Sequence, residues 1–259
     1  MRLNPNYCQF VDPAQAVCCH RWNSPISSFT SGQDIRTTDN ALLVLTYGNL
    51  HYAANSNWVN AGRSLVDKTY IDMLRHVQSL TNISTFDKEK VSAELDNFIR
   101  QFIRPFWDSM VIMDADAKSN LVCGLVDEAS RRLFGSLHSE VAASRLLFFL
   151  CPMLPFFNYT LGSVQALRAL GHMEMMDSYA SFHQVMYKEY GNTRLLLANQ
   201  TPAEPFYGSA MDLQLIQQMH QQTDWWQRRI FDVLLRHMAV QKNNKQQELF
   251  SCTPDGQLT

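Results

Sequence analysis

From Ala41 to Val240 apolar side chains return at three- and four-residue steps, and no period-two alternation is sustained anywhere in the chain. A helix repeats every 3.6 residues and a half-buried strand every two, so this spacing calls for helices and argues against a sheet. One stripe spans 59–80 through Val59, Leu65, Val66, Tyr70, Met73, Leu74 and Val77. A second follows a Ser84 or Thr85 cap, through Val91, Leu95, Phe98, Ile99, Phe102 and Ile103, until Pro105 stops it. Ser119 to Phe134 repeats the pattern, and Gly135 ends it. A short helix from Ser139 to Leu150 is apolar on most sides, which places it centrally. Further helices are predicted over 160–170, 174–190 and 210–221, and a last one runs from Thr223 as cap to Met238. The expected fold is all-α, a two-lobed helical bundle with loops at 107–117, 151–159 and 191–209.

Residues 1–40 hold Pro5, Pro13, Pro25 and many Ser, Thr and Asn, and are read as an irregular segment that wraps a helical domain over 41–240. The polar stretch 241–259 is read as a flexible tail. With 259 residues, 46% hydrophobic and 18% charged, the chain can bury a sizeable core, and wholesale disorder is excluded. A net charge of −2 argues against coating nucleic acid by bulk charge, but leaves room for a local basic face. No signal peptide is read at the start. The apolar run 146–157 is too short for a bilayer and holds Pro152 and Pro155, so no membrane partner is expected. The six cysteines, at 8, 18, 19, 123, 151 and 252, lack framework spacing and read as reduced cytoplasmic thiols. Cys18-Cys19-His20 has no CxxC companion, so neither a metal nor any cofactor is expected. A monomer is expected.

The informative stretch runs Leu133-Phe134-Gly135-Ser136-Leu137-His138-Ser139-Glu140-Val141-Ala142-Ala143-Ser144-Arg145-Leu146-Leu147 and on to Asn158. It reads as helix, tight hairpin, buried helix, then a Pro-containing turn that presents a polar residue. A hairpin entering a helix N-terminus offers free backbone N–H groups and the positive end of the dipole, a seat for one phosphate. Such a seat fixes a protein on a nucleic-acid backbone without high net charge.

In this order the segment resembles the helix-hairpin-helix DNA glycosylases, most closely their 8-oxoguanine-glycosylase-like bacterial branch. That branch carries Ser-Lys-x-Leu and then Phe-Leu-x-Pro-x-x-Phe-Pro-Ile-x-Asp, whose Asp is catalytic. Ser144-Arg145-Leu146-Leu147 and Phe149-Leu150-Cys151-Pro152-Met153-Leu154-Pro155-Phe156-Phe157-Asn158 are similar, with Asn158 at the Asp position. The likeness implies double-stranded DNA as partner and hydrolysis of an N-glycosidic bond after the base is flipped from the duplex. It admits 8-oxoguanine-type repair. It equally admits antiviral defence against phage DNA carrying modified bases such as glucosylated hydroxymethylcytosine, which is the preferred version. Two departures are visible. The hairpin has one Gly where two are usual, and the amine position of lyase-type members falls on Glu140, so a monofunctional enzyme leaving an abasic site is implied. Because an amide supplies no negative charge, Glu140 and Asp127 are candidates for the missing carboxylate, with non-catalytic DNA binding or an adaptor role as the alternative.

Other candidates come from residue type. Gly135, Ser136, His138, Ser139 and Arg145 would contact DNA, with capping an equal fate for His138. Asn55, Asn57 and Trp58, with Tyr159 beside Asn158, offer amide and aromatic groups for a base pocket, although turn formation and packing are the plainer roles for the first three. Arg131, Arg132 and Arg145 form the nearest approach to a basic patch. Arg228 and Arg229 are read as phosphate contacts or solvated. Asp232, on the apolar face of the last helix, is read as the ion-pair partner of an arginine.

Overall fold

The computed structural model describes residues 7–23, 39–58, 65, 88–134, 140–202 and 209–251. Among these residues every regular element is helical and no strand occurs. In chain order the α-helices are α1 (Cys8–Asn23), α2 (Asp39–Leu43), α3 (Asn49–Asn55), α4 (Lys88–Phe98), α5 (Ala115–Phe134), α6 (Glu140–Leu150), α7 (Leu161–Ala169), α8 (Tyr179–Leu197), α9 (Ala210–Gln222) and α10 (Trp225–Ser251). The buried side chains join into one connected cluster.

α6 is the central element, as its all-round apolar sequence predicts: Ala142, Ala143, Ser144 and 146–150 are all buried. α5 packs along one side of it, while α10 runs against α1, α7 and α8. Two π-helical turns, Val44–Gly48 and Ile99–Ile103, extend α2 into α3 and prolong α4. Capping fixes several helix starts. The Thr160 hydroxyl accepts from Ser163 N–H at α7, and reciprocal capping boxes, Ser178 with Ser181 and Ser209 with Asp212, open α8 and α9.

Three boundaries differ from the sequence reading. The segment expected to be irregular over 1–40 contains α1, whose Val11, Ala14, Cys18 and Trp22 form a buried stripe on α10 despite Pro13. The stretch expected to fray after 240 continues helical to Ser251. The loop expected over 191–209 is helical to Leu197. Of the stripe at 59–80 only Leu65 is described. It is buried, and its N–H donates to Asp96 Oδ1 at 2.8 Å. The hairpin residues Gly135, Ser136, His138 and Ser139 lie outside the described residues.

Candidate functional site

The turn after α6 carries two prolines and cannot form a helical ladder, so alongside short backbone bonds such as Leu154 N–H to Cys151 O several of its backbone groups find side chains. Arg228 of α10 is buried and donates to Pro152 O at 2.7 Å and Phe156 O at 2.9 Å, while its Nε holds Asp224 at 2.9 Å. His183 Nε2 lies 2.9 Å from Pro155 O, which makes that nitrogen the protonated one. Phe157 N–H donates to the Tyr179 hydroxyl, Tyr159 N–H to Ser144 Oγ, and the Ser163 hydroxyl reaches Asn158 O. With main-chain groups on both sides tied down, the loop holds Asn158 in one place.

Asn158 is 3% exposed, and its Nδ2 lies 3.5 Å from Asp232 Oδ2. Its Oδ1 has no partner. Asp232, equally buried, also accepts from the Ser163 hydroxyl at 3.2 Å and from Arg236 at 2.7 Å, with Arg229 at 3.8 Å. Arg229 in turn grips Asp39 through two bonds of 2.7 and 3.2 Å. Burial alone would lower the Arg229 guanidinium, but Asp39 above all holds it above its ordinary value. Half-buried Arg145 is pushed down by burial and by Arg236 and Arg229, against the pull of Asp232. The site is therefore a buried amide–carboxylate pair set among arginines. The α10 spacing Arg229, Asp232, Arg236 puts all three on one face that looks toward the start of α7.

Neither carboxylate proposed from sequence reaches Asn158 through any contact among the described residues. Glu140 caps α8 by accepting Tyr179 N–H at 2.9 Å. Burial raises its carboxyl above the ordinary range, with Asp127 and Asp177 adding to the rise against that backbone bond. Asp127 is half exposed on α5 and pairs with Arg131 at 2.8 Å. Glu128 binds both Arg131 and Arg132, so the expected basic patch is largely neutralised by its own helix. Arg228 and Arg229 are interior, not solvated.

The expected base-pocket residues are not drawn to one wall. Asn55 and Asn57 are exposed at the end of α3, where Asn57 and Trp58 both adopt positive φ, 53° and 57°. Trp58 packs edge-on against Trp107, which stacks with Tyr47 in the wall of a cavity of about 430 Å³. Tyr159 instead packs on Phe182 and donates its hydroxyl to Met176 O. It shares a cleft of about 350 Å³ with Glu140, Thr160 and Arg168. Sequence reasoning missed Asp39 and Ser163 and treated Asp232 as structural only. The available signal was a run of charge on the buried face of α10, where Arg229 and Asp232 stand three apart among Ile230, Phe231 and Leu235.

No protein-family model, curated protein or solved structure matches this chain. Among the described residues no group of histidine, cysteine and carboxylate side chains is disposed to hold a metal ion. None of the described helices is long and apolar enough to cross a membrane.

Proposed function

We propose that the protein is a monofunctional DNA glycosylase that hydrolyses the N-glycosidic bond of a flipped, modified base in double-stranded DNA and leaves an abasic site. The observation that carries this reading is the pairing of Asn158, at the position where the resembled family has its catalytic Asp, with the Asp232 carboxylate. In that arrangement the negative charge has moved from the loop to α10. The C1′–N bond breaks with its electron pair leaving on the base, and Asp232 stabilises the oxocarbenium-like sugar electrostatically. The free Asn158 Oδ1 accepts a hydrogen bond from the water whose oxygen then adds to C1′, and that water's proton passes through Asp232 to the departed base, which leaves as the neutral heterocycle and restores the carboxylate. Modified phage bases are the preferred substrates and 8-oxoguanine the alternative.

The ion pairs that already engage Asp232, together with its burial, favour a second reading: a non-catalytic DNA-binding or adaptor protein whose polar network is structural. Abasic sites counted after incubation with glucosylated phage DNA, 8-oxoguanine duplex and unmodified duplex separate the two. The glycosylase produces abasic sites on at least one modified DNA. Asn158→Ala and Asp232→Asn each lower excision about 100-fold or more, and the swapped pair Asn158→Asp with Asp232→Asn recovers part of it. Binding without abasic sites on any DNA establishes the second reading, and full activity of Asp232→Asn refutes the site.

A further inference from the structure

Around Asp232 the fold gathers four arginines: Arg21 of α1, Arg145 of α6, and Arg229 and Arg236 of α10. On α10 the spacing 229, 232, 236 brings two guanidinium groups to one carboxylate, Arg236 at 2.7 Å and Arg229 at 3.8 Å. The Cys18 thiol donates to the main-chain oxygen of Arg229 at 3.6 Å, so α1 delivers Arg21, one turn further on, to the same region. There Arg21 lies in the field of Arg229 and Arg236, with Asp39 pulling the other way. The Ser144 hydroxyl accepts Tyr159 N–H at 3.1 Å, next to Asn158, and its neighbour Arg145 feels Asp232, Arg236 and Arg229 together.

The charges in this cluster do not balance. Four guanidinium groups share two carboxylates, Asp39 and Asp232. Asp39 is engaged by Arg229 and Asp232 by Arg236. Burial pushes the Cys18 thiol up to about 12, so it adds no negative charge at neutral pH. Neither Arg21 nor Arg145 forms a hydrogen bond or ion pair with a described residue. Like charges crowded in a partly dry setting repel, and a bound anion relieves that repulsion. A ligand can reach these groups: the Arg236 side chain keeps 35% of its exposure, Arg145 is half-buried and Arg21 is exposed.

We propose that Arg21, Arg145 and Arg236 form a seat for a phosphate dianion, either inorganic phosphate or the terminal group of a small phosphomonoester. The surplus of positive charge suits a doubly charged ligand. Each guanidinium presents a planar fork of N–H donors that pairs with oxyanions, and a phosphate offers these forks three oxygens where a carboxylate offers two. Asp232 holds the Arg236 fork in place before any ligand arrives. The seat goes beyond the glycosylase reading, because it needs neither the Asn158 amide nor a flipped base, and its binding is measured without DNA substrate.

The test is calorimetry on the full-length protein at pH 8 and fixed ionic strength, with inorganic phosphate, glycerol 3-phosphate and the dinucleoside phosphodiester thymidylylthymidine as separate titrants. At that pH the first two carry about two negative charges, and the diester carries one. Saturable binding of at least one dianion is expected with a Kd below about 1 mM, and the diester should bind at least about tenfold more weakly. Arg21→Gln and Arg145→Gln each remove charge-assisted hydrogen bonds and should weaken the dianion at least about tenfold, with circular dichroism unaltered. Arg131→Gln, on α5 and paired there with Asp127 and Glu128, should leave binding unchanged. The proposal is overturned by the absence of saturable binding for both dianions, by binding that survives in both folded variants, or by an equal loss in Arg131→Gln, which would mean a general charge effect. A diester that binds as tightly as the dianions overturns the assignment to a terminal phosphate and gives the seat to a nucleic-acid backbone.

Discussion

Arg228 is one side chain that fixes a whole loop: its fork spans Pro152 O and Phe156 O while Asp224 neutralises it. Arg228→Met leaves two carbonyls and a carboxylate without their donor, and a loss of about 3–5 kcal/mol is expected in urea unfolding. Arg228→Lys should recover little, because an ammonium cannot reproduce the fork. His183 gives a pH signature. Burial lowers its pKa to about 4, against about 6.5 unfolded. A base lowered in the folded state contributes stability that is complete above pH 6.5 and is lost as pH falls from 6.5 to 4. The expected loss is on the order of 3 kcal/mol. Melting temperatures measured across that window should fall less steeply in His183→Asn than in the wild type. At this scale the site was half legible. Asn158 stands out because the Pro-bounded turn is local in sequence. Asp232 is 74 positions away and meets it only across the fold. Asp39 carries no local mark at all, since its meaning depends on Arg229, 190 positions on.

Elements were most legible where one face is buried over several turns. α5, α6 and α9 lie close to where apolar periodicity places them, because that signal is written within a single helix. α1 shows the opposite weighting: its stripe at 11, 14, 18 and 22 is present in sequence, but Pro13 and the surrounding turn formers conceal it. Packing on α10 outweighs the hydrogen bond that Pro13 forfeits. Trp22→Ala removes a fully buried ring lying against Trp225 and Trp226, and calorimetric or denaturant unfolding should show a loss of about 3–5 kcal/mol. A cost under about 1 kcal/mol would mean that α1 is a loose appendage. The two π-helical turns were not legible. A π turn takes one more residue than an α turn and rotates the helix beyond it, a choice made by neighbouring helices.

For the molecule as a whole, near-neutral charge and internally paired arginines limit how DNA can be held. Under the proposed function, affinity for a duplex should be modest and should drop between 50 and 200 mM salt. The slope in a fluorescence-anisotropy titration should correspond to only a few phosphates, and a slope like that of a groove-coating protein would refute a grip made by a hairpin and scattered arginines. The amino-acid sequence by itself determined the helical class, the central place of α6 and the turn that presents Asn158, because periodicity, caps and prolines act over a few neighbouring residues. Only the tertiary structure decided that Asp232, not Glu140 or Asp127, is the carboxylate beside Asn158. It alone also brought Trp22 of α1 against Trp225 and Trp226 at the start of α10. Burial and pairing are properties of distant residues brought into contact, and no local pattern encodes which charge will lie beside which amide.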